Sequence, residues 1–156
     1  MELGAGMAGL AGLAMASHSR CHPGFFENID VDVLLTDGHP AAVFNNAVSA
    51  HLTSSLPGKG GAVSRYTNVR AAKLLWKEGE EGKKECELLT KGRFDSDYNL
   101  FHLCVVSDCV HFQESHAALI STMARLLSLG GQAVLMQVRL SERHTRSVNK
   151  RRRSTE

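Results

Sequence analysis

Three glycines near the start of the chain, Gly4, Gly6 and Gly9, are spaced G-x-G-x-x-G, the pattern of a tight turn that runs into a helix. Without side chains the backbone can bend sharply there and come close to a ligand, and the helix that follows offers free N–H groups. The bland alternative is that small residues only let a helix pack against a sheet. Glu2 stands two residues before the first glycine. By Coulomb's law an acid at that place suits a cationic ligand better than a pyrophosphate, and S-adenosylmethionine carries both a sulfonium and an ammonium group. Asp37 ends the apolar run Val31-Asp32-Val33-Leu34-Leu35-Thr36 and is followed by Gly38. In open α/β sheets ligands bind beyond the carboxyl ends of strands, where a carboxylate can accept two hydrogen bonds from ribose hydroxyls. The same acid could instead cap the helix that follows. Ribose is common to NAD and S-adenosylmethionine, so Asp37 does not separate them.

The elements that must carry these residues alternate between apolar runs and helical stretches, which points to an α/β layered fold. The glycine turn leads into a helix of small and apolar residues ending near His18. Val31 to Asp37 reads as a strand, Ala41 to Leu52 as a helix, and Ser54 to Gly61 as a loop. Val69 to Trp76 reads as a strand, and the charged, glycine-dotted stretch Lys77 to Asp97 as an exposed, mobile insertion. Leu100 to Ser107 is continuously apolar, as a strand of a buried parallel sheet is. Glu114 to Leu129 is an amphipathic helix closed by Gly130-Gly131, and Gln132 to Val138 is the next strand. From Ser141 the chain is polar, and Lys150-Arg151-Arg152-Arg153 makes it basic.

Composition narrows the classes. Hydrophobic residues make up 43% of the chain, enough for one domain with a core, and the net charge of +2 is too small to argue for nucleic acid. The four cysteines form no C-x-x-C pair or disulfide framework and read as reduced thiols. No apolar run is long enough to span a membrane, and the start lacks the basic region of a secretory signal. His18, Cys21 and His22 lack a fourth partner at metal-site spacing, so no metal is expected. The basic tail is read as solvated, with a nuclear address as its alternative.

Several segments together resemble one family. Glu2-Leu3-Gly4-Ala5-Gly6-Met7-Ala8-Gly9-Leu10 looks like the E-x-G-x-G motif of class I, seven-strand methyltransferases, with Ala8 where many have a third glycine. Val33-Leu34-Leu35-Thr36-Asp37-Gly38 with Asn45, then Leu74-Leu75-Trp76, then Val105-Val106-Ser107-Asp108-Cys109 resemble successive segments of the calmodulin-lysine N-methyltransferases among the family 16 protein-lysine methyltransferases. The order and spacing agree from Met1 to about Arg139.

The resemblance implies a Rossmann-like, doubly wound and mostly parallel sheet. It implies S-adenosyl-L-methionine as cofactor, held by Glu2, Gly4, Gly6, Asp37, Trp76 and Asp108. Trp76 would wall the adenine pocket, its alternative being a core tryptophan at the sheet edge. Asp108 would orient the incoming lysine ammonium or touch the cofactor, or else cap the next helix. His111 could assist proton removal, its pKa lying near neutrality, or be a plain histidine. The implied partner is calmodulin or another acidic protein, met by a monomeric, cytoplasmic enzyme that could also be nuclear. The implied organisation is a partial methyltransferase domain over residues 1–140 and a basic tail over 141–156. It also implies truncation at both ends, with the first strand reduced to a short central remnant and the last strands missing.

Two other readings stay open. His111 stands where the family has Phe or Tyr. Gln113 and Ser115 replace an acid and a tyrosine of the calmodulin enzymes. With the truncation, these changes suit a catalytically inactive fragment or a non-catalytic cofactor-binding or interaction protein of the same family. An NAD-dependent oxidoreductase rests on the glycine pattern alone and lacks a hydride-transfer constellation.

Overall fold

The computed structural model describes residues 1–21, 31–55, 67–91, 100–109 and 113–137. In chain order these form β1 (Glu2–Leu3), α1 (Leu10–Cys21), β2 (Val31–Asp37), α2 (Pro40–Ser55), β3 (Thr67–Lys73), α3 (Gly79–Thr90), β4 (Phe101–Ser107), a 3-10 turn (Gln113–Ser115), α4 (His116–Leu126) and β5 (Leu127–Met136). The strands make one parallel sheet in the order β3-β2-β1-β4-β5. The expected α/β, Rossmann-like architecture is therefore present.

β1 is two residues long, yet it is central. Glu2 and Leu3 pair with Leu35 and Thr36 on one side and with Val105 and Val106 on the other. Hydrogen bonds just outside the strand prolong both seams. Ala5 N–H donates to Thr36 C=O at 2.8 Å, and Val105 N–H donates to Met1 C=O at 2.9 Å. The Thr36 hydroxyl adds a bond to the Glu2 carbonyl at 2.8 Å. Backbone groups of β2 and β4 that would otherwise face a gap are thus paired, which buried N–H and C=O groups require.

Helices cover both faces, which is why β2 reads as a continuous apolar run. Successive side chains point to opposite faces. Leu34 joins Leu3, Leu74, Val106 and Leu119 in a core that also holds Cys86 and Leu89 of α3. Val33 and Leu35 join Ala16 of α1, Ala50 of α2 and Val69 of β3 on the other face.

Two elements differ from the sequence reading. The charged stretch after Lys77, expected as a mobile insertion, forms α3 over Gly79–Thr90. Its buried residues Gly82, Cys86 and Leu89 recur at helical spacing, and Glu80 and Glu81 sit in the first turn, where acids favour the helix dipole. Ion pairs Lys77–Glu81 and Lys83–Glu87 lie four residues apart on its exposed side. The second difference is at Gly130-Gly131. α4 ends at Leu126 and β5 begins at once, so these glycines lie inside a strand and do not close a helix. Phe101 pairs with Leu127 and Leu103 with Gln132, so the register slips there, and Gly130 takes the positive φ of 80° that such a bulge uses. His111, the Pro23-Gly24 loop and the basic tail lie outside the described residues.

Candidate functional site

Because every strand runs the same way, all the carboxyl ends lie at one edge of the sheet. β1 is followed in the sheet by β2 and β3 on one side and has β4 and β5 on the other, so the winding reverses between β1 and β4. Open α/β sheets bind ligands in the crevice outside the strand ends at such a reversal. The glycine turn leaves β1 at that place.

Gly4, Gly6 and Gly9 have φ of 65°, 60° and 53°, the left-handed region that side chains rarely adopt. Their surroundings differ. A Cβ on Gly4 would overlap Cys109 Sγ and come within 3.1 Å of the Trp76 ring. One on Gly9 would meet Asn46 Oδ1 at 2.8 Å and Leu35 Cδ1 at 3.0 Å. One on Gly12, within α1, would overlap Leu35 and lie 3.0 Å from Glu2 Oε2. Among the described residues a Cβ on Gly6 would meet nothing within 4 Å. The two readings of the pattern thus divide by position. Gly9 and Gly12 let α1 approach the sheet, and Gly6 leaves an open backbone face at the cleft.

Asp37 is the acid that meets the turn. Its Oδ2 accepts the Gly6 N–H at 2.8 Å and its Oδ1 accepts the His39 N–H at 2.7 Å. Each carboxylate oxygen retains a further lone pair for a ligand hydroxyl. The capping alternative does not describe its geometry, because at the start of α2 it is His39 Nδ1 that accepts the Ala41 N–H.

Glu2 does not face the cleft as expected. It is 3% exposed, and its Oε2 accepts the Gly12 N–H at 2.7 Å. Strand alternation sends its side chain under α1, and the absence of a Cβ on Gly12 leaves room for it. The carboxylate satisfies an N–H of the first turn of α1, at the positive end of the helix dipole. Burial holds its pKa above the ordinary 4.5, although the amides of Gly12 and Ala11 oppose the rise. An acid with a raised folded pKa binds its proton more tightly when folded. Its favourable contribution is therefore complete below pH ~4.5 and is lost as pH rises through the raised value. Glu2→Gln, which keeps an acceptor for Gly12, should flatten that loss in urea unfolding measured across pH. Glu2→Ala should cost about 1–3 kcal/mol at every pH, because it orphans a buried N–H.

Trp76 and Cys109 complete the turn's surroundings. β3 ends at Lys73, and the segment beyond it crosses the end of β2, with Leu74 N–H donating to Asp37 C=O at 3.1 Å. That path brings the half-buried Trp76 against Gly4. The Cys109 thiol lies 3.0 Å from Ser107 C=O and 3.3 Å from Gly4 C=O. Burial pushes its pKa up, and the carboxylates of Asp37, Glu2 and Asp108 push it further. Asp108 is exposed at the lip, with a left-handed φ of 56° and its N–H donating to Met136 C=O at 2.8 Å. Such strain in a non-glycine residue clusters at functional sites.

One residue of the site was missed in the sequence. Asn46, fully buried on α2, donates from Nδ2 to Gly6 C=O at 3.0 Å. Its neighbour Asn45, singled out in the sequence, is half-buried and its Nδ2 lies 4.0 Å from Met7 Sδ. The Asn46 Oδ1 is buried without a hydrogen-bond donor among the described residues. Such an orphan costs about 1–3 kcal/mol.

A parallel α/β sheet whose winding reverses beside a glycine turn and an acid is the Rossmann-like arrangement of a ligand-binding class. The chain belongs to the lysine methyltransferase family, whose model matches residues 1–151. It is 30% identical over 127 residues to a calmodulin-lysine N-methyltransferase of Arabidopsis thaliana. That match covers 81% of this chain and 32% of the relative, so the chain spans about a third of the relative's length.

The cofactor that the family implies, S-adenosylmethionine, fits the residues present. Among the described residues Gly6 leaves room for a ligand against the backbone, Asp37 keeps acceptor capacity beside it, and the carboxylates Asp37 and Asp108 suit a cation. A pyrophosphate would be repelled by the same carboxylates.

Proposed function

We propose that this chain forms the cofactor-binding part of an S-adenosylmethionine-dependent protein-lysine N-methyltransferase, with calmodulin as its substrate. The carrying observation is the meeting of an open glycine backbone at Gly6 with Asp37, which accepts its N–H, and the exposed Asp108 nearby, at the carboxyl ends of β1, β2 and β4. The similarity to a calmodulin-lysine N-methyltransferase supports that substrate, as does the attraction of acidic proteins to a chain of net charge +2.

When bound, S-adenosylmethionine supplies a methyl group already activated by the sulfonium charge. The chain's own residues then have to align and desolvate. Gly4 and Gly6 give a backbone surface, Asp37 orients a sugar hydroxyl, and Trp76 offers a ring face. Asp108 at the lip draws in the lysine ammonium. A lysine attacks only as the neutral amine, and its ordinary pKa near 10.4 keeps it charged. His111 takes that proton on an imidazole nitrogen in this reading. Alignment of nucleophile and methyl carbon is the main contribution asked of the protein.

Incubation with labelled S-adenosylmethionine and unmodified calmodulin tests this. Label should enter a calmodulin lysine, and Asp108→Ala should lower kcat/KM for calmodulin by about 10-fold or more. Cofactor binding without label transfer, by this chain and by a longer form of it, would favour the second reading. That reading is a non-catalytic cofactor-binding relative, and it is motivated by His111, Gln113 and Ser115.

A further inference from the structure

We infer that Asn46 is a positioning residue for the cofactor turn, clamping the Gly6 carbonyl so that the open face of Gly6 stays turned to the cleft. The inference rests on the reading above, that this cleft takes S-adenosylmethionine. Gly6 is held at both ends of its backbone. Its N–H goes to Asp37 Oδ2 at 2.8 Å and its C=O receives Asn46 Nδ2 at 3.0 Å. Both partners come from the β2–α2 unit, so the turn after β1 is shaped by the element next in the chain. Among the described residues nothing lies within 4 Å of the Gly6 Cβ position to hold its left-handed φ of 60°, and these two hydrogen bonds supply that restraint.

The choice of residue supports the inference. Position 46 lies on the buried face of α2 with Ala42 and Ala50 one turn away on either side. An apolar residue would be the ordinary occupant of such a face. Asparagine brings a buried acceptor, Oδ1, that finds no donor among the described residues. What it brings in return is the donor to Gly6. A residue that is poor for stability and specific for one carbonyl of the turn is explained by the shape of the turn.

The test uses Asn46→Ala, which cannot overpack the site, and Asn46→Leu, which cannot leave a large cavity, with Asn45→Ala as control. Three readouts are needed: urea unfolding of the free chain, amide hydrogen exchange of residues 4–9 without ligand, and calorimetric affinity for S-adenosylhomocysteine. Asn46→Leu should unfold at nearly the wild-type urea concentration, because it removes an orphan acceptor along with the clamp. Both folded Asn46 variants should exchange the Gly6 to Gly9 amides faster and bind S-adenosylhomocysteine at least 10-fold more weakly, about 1.4 kcal/mol. The control should do neither. Wild-type exchange and affinity in either folded variant would overturn the inference. If wild-type protein binds no S-adenosylhomocysteine, the cofactor reading fails by itself, and exchange at the turn still decides whether Asn46 clamps it.

Discussion

Gly4→Ala should destabilise the chain by about 2–5 kcal/mol, read as a shift of the urea unfolding midpoint at unchanged slope. Two effects add. The left-handed φ of 65° is strained for any residue with a Cβ, and the new methyl would overlap Cys109 Sγ and crowd the Trp76 ring. The neighbours have little room to yield, since Trp76 and Cys109 both pack on the core. A double-mutant cycle separates the two terms. Cys109→Ala in the Gly4→Ala background should return the part due to overlap and leave the backbone strain, about 1–2 kcal/mol. Simple additivity of the two substitutions would contradict the packing described at Gly4.

Gly6→Ala should behave in the opposite way. Its φ of 60° makes a side chain unfavourable, but no described residue lies within 4 Å of the added carbon. Stability should fall by only about 1–2 kcal/mol. Affinity for S-adenosylhomocysteine should fall 100-fold or more, about 2.7 kcal/mol, because the methyl projects into the open face that the ligand needs. Isothermal calorimetry beside urea unfolding checks both halves. Substitutions at two glycines two residues apart would then differ in kind, the one at Gly4 felt first by the fold and the one at Gly6 by the ligand. Gly6→Ala with wild-type affinity would remove the turn from the binding surface.

Much of this was legible in the amino-acid sequence. β2 was readable to the residue, because a central strand covered on both faces is uniformly apolar and Asp37 with Gly38 marks its end. The meeting of Asp37 and the glycine turn followed from the parallel α/β pattern, which puts strand ends on one edge. α3 was hidden because its buried face is thin, with only Cys86 and Leu89 as apolar anchors among charges. A bulge glycine and a helix-closing glycine share positive φ, so Gly130-Gly131 gave no local sign of which it was. Glu2 was assigned to a cation by charge alone. Alternation along a strand together with the small Gly12 opposite could have pointed it under α1. Asn45 and Asn46 differ by one helical step of 100°, and which of two adjacent asparagines faces the turn depends on the phase of α2 against the sheet.

The central claim is that the cleft at the carboxyl ends of β1, β2 and β4 takes the adenosyl-amino-acid cofactor of methyl transfer and not a dinucleotide. Thermal unfolding of the wild-type chain with S-adenosylhomocysteine or NAD, each at saturating concentration, with Gly6→Ala run beside it, tests this most directly. A ligand at about 100 times its Kd adds about 2.7 kcal/mol to the folded state. For a chain of this size that corresponds to a Tm rise of roughly 5–10 °C. The account predicts that rise with S-adenosylhomocysteine, none with NAD, and its loss in Gly6→Ala. A rise with NAD alone, or one with S-adenosylhomocysteine that survives in Gly6→Ala, would contradict it.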